Sequence, residues 1–259
     1  MVGKDYFMWA SEKGKKQYIT VINRALTESM AFNNFKSNPA FFSIVGISEQ
    51  FHGVHCYKNI LKCPEVLKNF QLFAKNDTIG NPLIKLKALN ISTDTLRFVE
   101  TVSKLYIAFG DLNGKSIVEF GSNYGGLCCL INTQWPLISK YHLIDLPEVQ
   151  QLSLKYLAAL GIDTTTTTSK LSIIIDALGN DYYFISEYAL TEFTDDDLYA
   201  YYNKYVKHCQ GFLIRCNIFE NERYQRFLTV LREQFDITIE DEPPVRMPNK
   251  IIVGQRKKW

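Results

Sequence analysis

The sequence lacks the features that would place it in a membrane or on a disulfide framework. No run of about 18 or more apolar residues occurs in its 259 residues, so no membrane span is expected. The opening segment MVGKDYFMWASEKGKK has neither the apolar stretch nor the small-residue cleavage site of a signal peptide. None of the 6 cysteines belongs to a CxxC pair, which argues against a disulfide scaffold and a structural zinc site. We therefore expect a reduced, cytoplasmic protein without a resident metal ion.

The chain also lacks an excess of charge of either sign. Its formal net charge is +2 at pH 7, whereas a nucleic-acid-binding protein usually has a strong basic excess or a basic face. Hydrophobic residues make up 46% and charged residues 22%, which is ordinary for a globular protein with a real core. We expect a small-molecule ligand rather than a nucleic acid, and nothing in the composition indicates an oligomeric state.

The character of the chain changes near residue 110. Residues 1–110 show apolar residues at helical spacing, as in YITVINRALTESMAFNNF and STDTLRFVETVSKLYIAF. Turn signals that contain Pro39, Pro64 and Pro82 separate the periodic segments. We predict three to five helices in this region, forming a helical substrate-binding cap.

Residues 111–259 alternate between strand and helix signals. Short apolar runs in KSIVEFG, KYHLIDL, LSIIID, DYYFISE and GFLIRCN precede helical segments or turns, which predicts a parallel sheet with helices on both faces. FDITIEDE and KIIVGQR follow the last helix with no helix between them, so we expect an antiparallel hairpin. This α/β architecture is Rossmann-like. Its final hairpin is typical of methyltransferases and unusual for dinucleotide dehydrogenases.

A glycine-rich loop follows the first of these strands. It reads Glu119-Phe-Gly121-Ser-Asn123-Tyr-Gly125-Gly126, and glycines there let the backbone approach a ligand and turn sharply into a helix. The dinucleotide fingerprint G-x-G-x-x-G needs a glycine at position 123, where this chain has asparagine. The acidic residue two places before Gly121 fits the E-x-G-x-G-x-G loop of S-adenosylmethionine enzymes. The alternative is a tight turn that binds no ligand.

Aspartates end the next two predicted strands. Asp145 follows the loop by about the 20 residues usual for a carboxylate that accepts hydrogen bonds from ribose hydroxyls. Its alternative role is to cap the helix that begins at Pro147. Asp176 could bind an adenine amino group, with Ala177 and Leu178 covering the ring. Its alternative is an ordinary strand-end turn.

Three segments in this order, IVEFGSNYGGL, YHLIDLPEVQQLSLKYL and FISEYALTE, resemble the sugar O-methyltransferase family of bacterial glycan and capsule clusters. GNP at 80–82 and STDTLRF at 92–98 resemble it too, so the similarity covers roughly residues 80–220. The resemblance implies S-adenosylmethionine as methyl donor and an oxygen of a sugar or capsule building block as acceptor. Enzymes that make the O-methyl phosphoramidate group of some capsules look similar. Many relatives have glycine where this chain has Asn123.

The predicted cofactor contacts lie at the loop and the strand ends. They are Glu119, Gly121, Asn123, Tyr124, Gly125, Asp145, Leu146, Asp176, Ala177 and Ser186. In this fold the end of the fourth strand faces the donor methyl, which places Glu187 and Tyr188 at the reaction centre. Glu187 could act as a general base or hold the methionine ammonium, and its alternative is a carboxylate in a structural salt bridge. Tyr188 is a candidate acceptor contact.

The N-terminal region contributes His52, His55 and Tyr57 in the segment FHGVHCY. Histidine is a good general base near neutral pH, so both histidines are candidate catalytic residues and Tyr57 is a candidate acceptor contact. The alternative is that the histidines are surface or core-edge residues. No partner carboxylate has metal-ligand spacing, which disfavours a metal site. Arg97 could meet an anionic acceptor or pin the cap to the core.

The expected reaction is in-line displacement at a sulfonium methyl. Since sulfonium is already a good leaving group, the protein mainly aligns donor and acceptor and excludes water. A neutral hydroxyl of a sugar or sugar nucleotide also needs a base, whereas a phosphoramidate oxygen is already anionic and needs cationic positioning. Two other functions stay open, namely a protein that binds S-adenosylmethionine or a partner without catalysis, and a nicotinamide-dependent oxidoreductase.

Overall fold

The computed structural model describes residues 12–45, 50–162, 179–217, 222–242 and 249–258. These residues divide into two compact units. The first unit contains the described chain up to Ser103, together with Asn123–Gln134 and the described segment from Leu146. The second contains Lys104–Ser122, Trp135–Asp145 and the described chain from residue 179. The units alternate along the sequence, and a domain division at residue 110 stays a prediction.

The first unit is helical. Its α-helices are α1 (Glu12–Thr27), α2 (Ser29–Asn34), α3 (Pro39–Val45), α4 (Gln50–Ile60), α5 (Pro64–Leu67), α6 (Thr93–Phe109, as far as Ser103), α7 (Gly126–Gln134) and α8 (Pro147–Ala159). It also contains 3-10 helices at Phe35–Ser37 and Phe70–Asp77 and a two-stranded antiparallel ribbon, β1 (Lys85–Leu86) and β2 (Ile91–Ser92).

Prolines mark the start of several of these helices. α3 and α5 begin at Pro39 and Pro64, where the ring fixes φ and the missing N–H would have no intrahelical partner. The described residues up to Phe109 contain six α-helices where the sequence predicts three to five. α1 shows the expected apolar stripe, since Tyr18, Ile22 and Ala25 are all buried.

The second unit contains a six-stranded sheet. Its strands are β3 (Ser116–Phe120), β4 (Lys140–Ile144), β5 (Tyr182–Glu187), β6 (Gly211–Asn217), β7 (Phe235–Glu242) and β8 (Asn249–Arg256). β5 is followed by a 3-10 turn (Ala189–Glu192), α9 (Asp195–Tyr201) and a π-helical turn (Tyr202–Val206), and β6 is followed by α10 (Glu222–Gln234). The predicted strand LSIIID, residues 171–176, lies outside the described residues.

The strand order is β4-β3-β5-β6-β8-β7. The first four strands in this order are parallel, and β8 is antiparallel to both of its neighbours. The predicted Rossmann-like α/β class with a final antiparallel hairpin is confirmed. β8 lies between β6 and β7 because Ile251, Ile252 and Val253 form a buried apolar run. Along β7, exposed polar residues alternate with more buried residues, as expected of an edge strand.

The register sets the carboxyl ends of three parallel strands at one level. Phe120 on β3 is opposite Ile144 on β4 and Ser186 on β5. The residues that follow, Gly121, Asp145 and Glu187, therefore lie at the same edge of the sheet. β4 and β5 flank β3 on opposite sides, which makes this edge a topological switch point, where open α/β sheets bind their ligands.

Candidate functional site

The loop after β3 alternates left-handed backbone conformations. Its φ angles are +77° at Gly121, +51° at Asn123 and +84° at Gly125. Residues other than glycine rarely adopt such angles, but asparagine does so several times more often than most. Asn123 therefore meets the same backbone requirement as the glycine it replaces in the E-x-G-x-G-x-G pattern.

The start of this loop is tightly packed within the second unit. A Cβ atom built on Gly121 would collide with the Cβ of Ala189 in the turn after β5, so the close approach of these two segments requires glycine. The Ser122 hydroxyl, which the sequence interpretation missed, is buried and has no hydrogen-bond partner among the described residues. Because a buried polar group normally has a partner, the Ser122 hydroxyl suits a polar group of a ligand.

Three carboxylates influence one another at this edge. Glu119 on β3 is buried, and the Tyr141 hydroxyl donates to its Oε2 at 2.7 Å. Burial raises the pKa of Glu119 well above its ordinary value, the hydrogen bond from Tyr141 lowers it, and the charges of Glu187 and Asp145 raise it. The edge therefore brings three acidic groups close enough for their charges to repel one another. A cation bound there would stabilise the ionised form of Glu119.

Asp145 is half-buried and directly follows β4. α8 begins at Pro147, and its N-cap residue is Leu146, with φ −59° and ψ 147°. The N-cap position that was the alternative for Asp145 is thus occupied by its neighbour. The ribose contact of Asp145 stays a prediction.

Glu187, at the end of β5, forms a buried ion pair. Arg215 Nε on β6 lies 3.3 Å from Glu187 Oε1, and the fully buried Arg215 also pairs with Glu242 on β7. The salt bridge considered as the alternative for Glu187 is therefore present, and its catalytic role stays a prediction. Charges buried in this way hold one another in a fixed geometry, because separating them would leave a desolvated charge.

Tyr188 and Ser186 make hydrogen bonds within the second unit. The Tyr188 hydroxyl donates to Glu242 Oε2 at 2.7 Å, and the Tyr188 backbone has φ +69°, a strained conformation for an aromatic residue. The buried Ser186 Oγ accepts a hydrogen bond from the Leu190 N–H at 3.1 Å. The proton of the Tyr188 hydroxyl is thus engaged, and the acceptor contact predicted for Tyr188 stays a prediction.

In the first unit the Tyr124 side chain is buried among aromatic rings. Its ring centroid lies 5.5 Å from that of Phe35, 6.2 Å from that of Phe98 and 5.0 Å from that of Tyr156. Asn76 Nδ2 donates to the Tyr124 hydroxyl at 3.1 Å. The Tyr124 side chain is therefore held within the first unit, and the cofactor contact predicted for Tyr124 stays a prediction.

The same aromatic cluster encloses Lys36, which the sequence interpretation missed. Lys36 Nζ lies 4.4 Å from the ring centroid of Tyr124 and 4.7 Å from that of Tyr156, and it donates to the carbonyl of Asn76. Burial lowers the pKa of Lys36 to about 7, although the charges of Asp77 and Asp94 raise it. The surrounding segment FNNFKSNP carries no signal that this lysine is buried.

The two predicted histidines lie on α4 in different environments. His52 is fully buried, whereas His55 is half-buried and its Nε2 lies 3.0 Å from Asn59 Nδ2. Asn59 Nδ2 also donates to Glu100 Oε1 on α6 at 2.6 Å. Asn59 and Glu100 thus join His55 to the neighbouring helix, and neither was predicted.

α6 carries two buried charged residues one turn apart, Arg97 and Glu100. The Arg97 guanidinium lies 4.9 Å from the ring centroid of Phe98. Tyr57, the acceptor contact predicted on α4, has its ring centroid 5.4 Å from that of Phe70. Charged residues within the apolar stripe of a helix are a sequence signal for a buried polar site. That signal could have identified Glu100 together with Arg97.

Three further predictions concern the adenine ring, metal ions and membranes. Asp176, Ala177 and Leu178 lie outside the described residues, so their adenine contacts stay predictions. In the described part of the chain, no group of three or more His, Cys, Asp or Glu residues could hold a metal ion. No helix within those same ranges is long and apolar enough to cross a bilayer. All six cysteines are free thiols and buried.

No family model and no curated protein matches the chain. Among solved structures, the mitomycin 7-O-methyltransferase MmcR resembles 99% of this chain over 72% of its own, with TM-score 0.45 and 12% identity. The magnesium protoporphyrin IX methyltransferase from Synechocystis, with bound SAM, resembles 62% of this chain over 79% of its own, with TM-score 0.47 and 16% identity. At this level of similarity the fold rests on the strand order of the sheet.

Proposed function

We propose that this protein is an S-adenosylmethionine-dependent O-methyltransferase that acts on a sugar or capsule building block. The observation that carries the proposal is the common level of Gly121, Asp145 and Glu187 at the switch point of the sheet. Carboxylates at neighbouring strand ends suit a ligand that has both ribose hydroxyls and cationic groups. The sequence resemblance over residues 80–220 supports the same donor and the class of acceptor.

The residues of the second unit fit this cofactor. Asp145 would accept hydrogen bonds from the ribose hydroxyls, and the buried Ser122 hydroxyl would pair with a polar group of the ligand. Glu119 and Glu187 would offset the positive charge of the sulfonium and the methionine ammonium. The bound cofactor supplies an electrophilic methyl group on a good leaving group, so alignment of donor and acceptor is the main task of the protein.

The acceptor side of the proposal uses the other predicted residues. Tyr57, Arg97 and Tyr188 would bind the acceptor. If the acceptor is a neutral sugar hydroxyl, His52, His55 or Glu187 would take its proton. If it is a phosphoramidate oxygen, no proton has to be removed, and the guanidinium of Arg97 would bind the negative charge.

Ligand-dependent thermal unfolding tests the cofactor half. S-adenosylhomocysteine should raise Tm, because a ligand that binds only the folded state stabilises it, by about 2.7 kcal/mol at 100 times Kd. Asp145→Ala should lose most of the shift, since the ribose hydroxyls lose their acceptor. Asp181→Ala, which changes an exposed aspartate before β5, should keep it. No shift in the wild type, or an equal shift with NAD, contradicts the proposal.

A radiolabelled methyl-transfer screen tests the acceptor half. Sugar nucleotides, capsule sugars and phosphoramidates would each be incubated with the protein and labelled S-adenosylmethionine. We expect label in at least one of these classes. A protein that binds S-adenosylhomocysteine but transfers methyl to none of them would instead support the non-catalytic binding protein.

A further inference from the structure

The second half of the glycine-rich loop, residues 123–126, belongs to the first unit. Its backbone is left-handed at Asn123, with φ +51°, and at Gly125, with φ +84°. A left-handed residue other than glycine costs free energy and persists only where its surroundings hold it. Such surroundings begin at the next residue, because the Tyr124 side chain is buried among several neighbours.

Aromatic rings define the orientation of the Tyr124 side chain. Phe35, Phe98 and Tyr156 have their rings at 64°, 60° and 86° to that ring, which is the edge-to-face arrangement that aromatic pairs prefer. A Cβ atom built on Gly126 would lie 2.6 Å from the Tyr124 hydroxyl oxygen and 2.8 Å from a ring atom of Phe98. The Tyr124 ring therefore packs directly against the backbone at the start of α7.

Lys36, on the 3-10 helix Phe35–Ser37, adds an ammonium to this cluster. Its Nζ lies 4.4 Å from the ring centroid of Tyr124 and 3.2 Å from the hydroxyl oxygen of Tyr156. An ammonium within about 6 Å of an aromatic ring is attracted by the negative face of the ring, and the attraction is stronger away from water. Lys36 is 4% exposed, so its contact with the Tyr124 ring belongs to the stronger kind.

Asn76 links the ammonium to the other end of the Tyr124 side chain. The Asn76 carbonyl accepts a hydrogen bond from Lys36 Nζ, and Asn76 Nδ2 donates to the Tyr124 hydroxyl at 3.1 Å. Asn76 is itself fully buried, and its Oδ1 accepts a hydrogen bond from the Tyr156 hydroxyl at 2.7 Å. The face of the Tyr124 ring and its hydroxyl are thus both held, the one by Lys36 and the other by Asn76.

We infer that Lys36 and Asn76 are positioning residues for the cofactor: they anchor the Tyr124 ring, and the anchored ring keeps residues 123–125 in the conformation that binds S-adenosylmethionine. The identity of the ligand rests on the proposed function. Cofactor affinity then depends on a buried ammonium that lies far from the loop in the sequence and that the E-x-G-x-G-x-G pattern does not include.

Affinity for S-adenosylhomocysteine, measured by calorimetry near pH 6, tests the inference, because this pH lies below the pKa of about 7 that burial gives Lys36. Lys36→Met removes the charge and keeps a chain of similar length, so Kd should rise about 5–30-fold, as expected for the loss of one buried cation–π contact. Lys155→Met is the matched control. Lys155 Nζ lies 4.5 Å from the ring centroid of Phe32 in the same unit, and its loss should leave Kd unchanged. Equal Kd values in the two variants overturn the inference.

A double-mutant cycle tests whether Lys36 acts through the Tyr124 ring. Tyr124→Leu removes the face that the ammonium contacts, so adding Lys36→Met should then cost little further affinity. Losses that simply add would show that Lys36 acts elsewhere, which overturns the inference. Tyr124→Phe decides the case if Lys36→Met does not fold. It keeps the ring, loses the hydroxyl that Asn76 holds and should raise Kd by a smaller factor, and an unchanged Kd overturns the anchoring.

Amide hydrogen exchange of residues 123–126 measures the same anchor without any ligand. Exchange should be faster in Lys36→Met than in Lys155→Met, because local opening becomes easier where the anchor is lost. Equal exchange in the two variants contradicts the anchoring. If the wild type binds no S-adenosylhomocysteine, the proposed function fails, whereas the exchange measurement still decides whether Lys36 holds the loop.

Discussion

The two compact units bury a cation in different ways. In the first unit Lys36 lies among aromatic rings, and burial lowers its pKa to about 7. In the second unit Arg215 is fully buried between Glu187 and Glu242. A lysine can release its proton when desolvation makes the charge unfavourable, but an arginine cannot. The type of cation thus decides whether a buried site responds to pH or depends on ion pairs.

Removal of the guanidinium should have the largest effect on stability. Arg215→Met leaves two buried carboxylates without this partner, and removing one member of a buried ion pair costs about 3–5 kcal/mol. The measurement is the free energy of unfolding in urea. Arg226→Met is the control, because Arg226 pairs with Asp195 at 3.0 Å and its side chain is 56% exposed; a surface pair contributes about 0–1 kcal/mol. Equal losses in the two variants would contradict the comparison.

Lys36→Met should change how stability depends on pH. Between the pKa of about 7 in the folded protein and the ordinary 10.5, the unfolded chain binds a proton that the folded protein does not. The stability of the wild type relative to Lys36→Met should therefore rise with pH, by at most about 1.4 kcal/mol per pH unit. Urea unfolding at pH 7, 8 and 9 would measure this slope. The exposed Lys58→Met serves as the control, and parallel curves for the wild type and Lys36→Met would refute the expectation.

Glu119→Gln should give a slope of the opposite sign. Burial raises the pKa of Glu119 well above 4.5, so above that pH the folded protein retains a proton that the unfolded chain has lost. The stability of the wild type relative to Glu119→Gln should therefore fall as pH rises from about 4.5 toward the raised pKa. Glutamine still offers the Tyr141 hydroxyl an acceptor. The exposed Glu233→Gln serves as control, and a rising difference would be the wrong sign.

Chelation should have the smallest effect on either unit. The proposed reaction uses a sulfonium donor, which needs no Lewis acid, so EDTA should leave both turnover and Tm unchanged. Activity that disappears with EDTA and returns with magnesium or zinc would reveal a metal site that neither the sequence patterns nor the described residues indicate.

The sheet and its edge were predictable because their signals are local. Apolar runs identify β3, β4, β5 and β6. Gly121, Asp145 and Glu187, at the carboxyl ends of three of these strands, are adjacent to the apolar runs in the sequence. The place of β8 inside the sheet was also present in the sequence, since the apolar run Ile251–Val253 contrasts with the alternating FDITIEDE. Only the pairing of the two strands was predicted.

The polar partners were not predictable because they are distant in the sequence. Asn59 and Glu100 lie on different helices, and Glu187 meets Arg215 on the next strand of the sheet. Periodicity shows which face of an element is apolar but not which buried polar groups meet across elements. The arginine within GFLIRCN was a visible anomaly, since a charge inside an apolar strand requires a partner. Its partner could not be named.

The position of β8 has a consequence for how the protein is synthesised. Among the described strands, β7 pairs only with β8, and β8 also covers the edge of β6. Because β7 precedes β8 in the chain, it leaves the ribosome before its partner exists, and β6 keeps an open edge until Arg256 has been made. Unpaired edges invite pairing with other chains. Docking of the segment Asn249–Arg256 therefore covers the edge of β6 and gives β7 its partner, which lowers the number of unpaired edges open to such encounters.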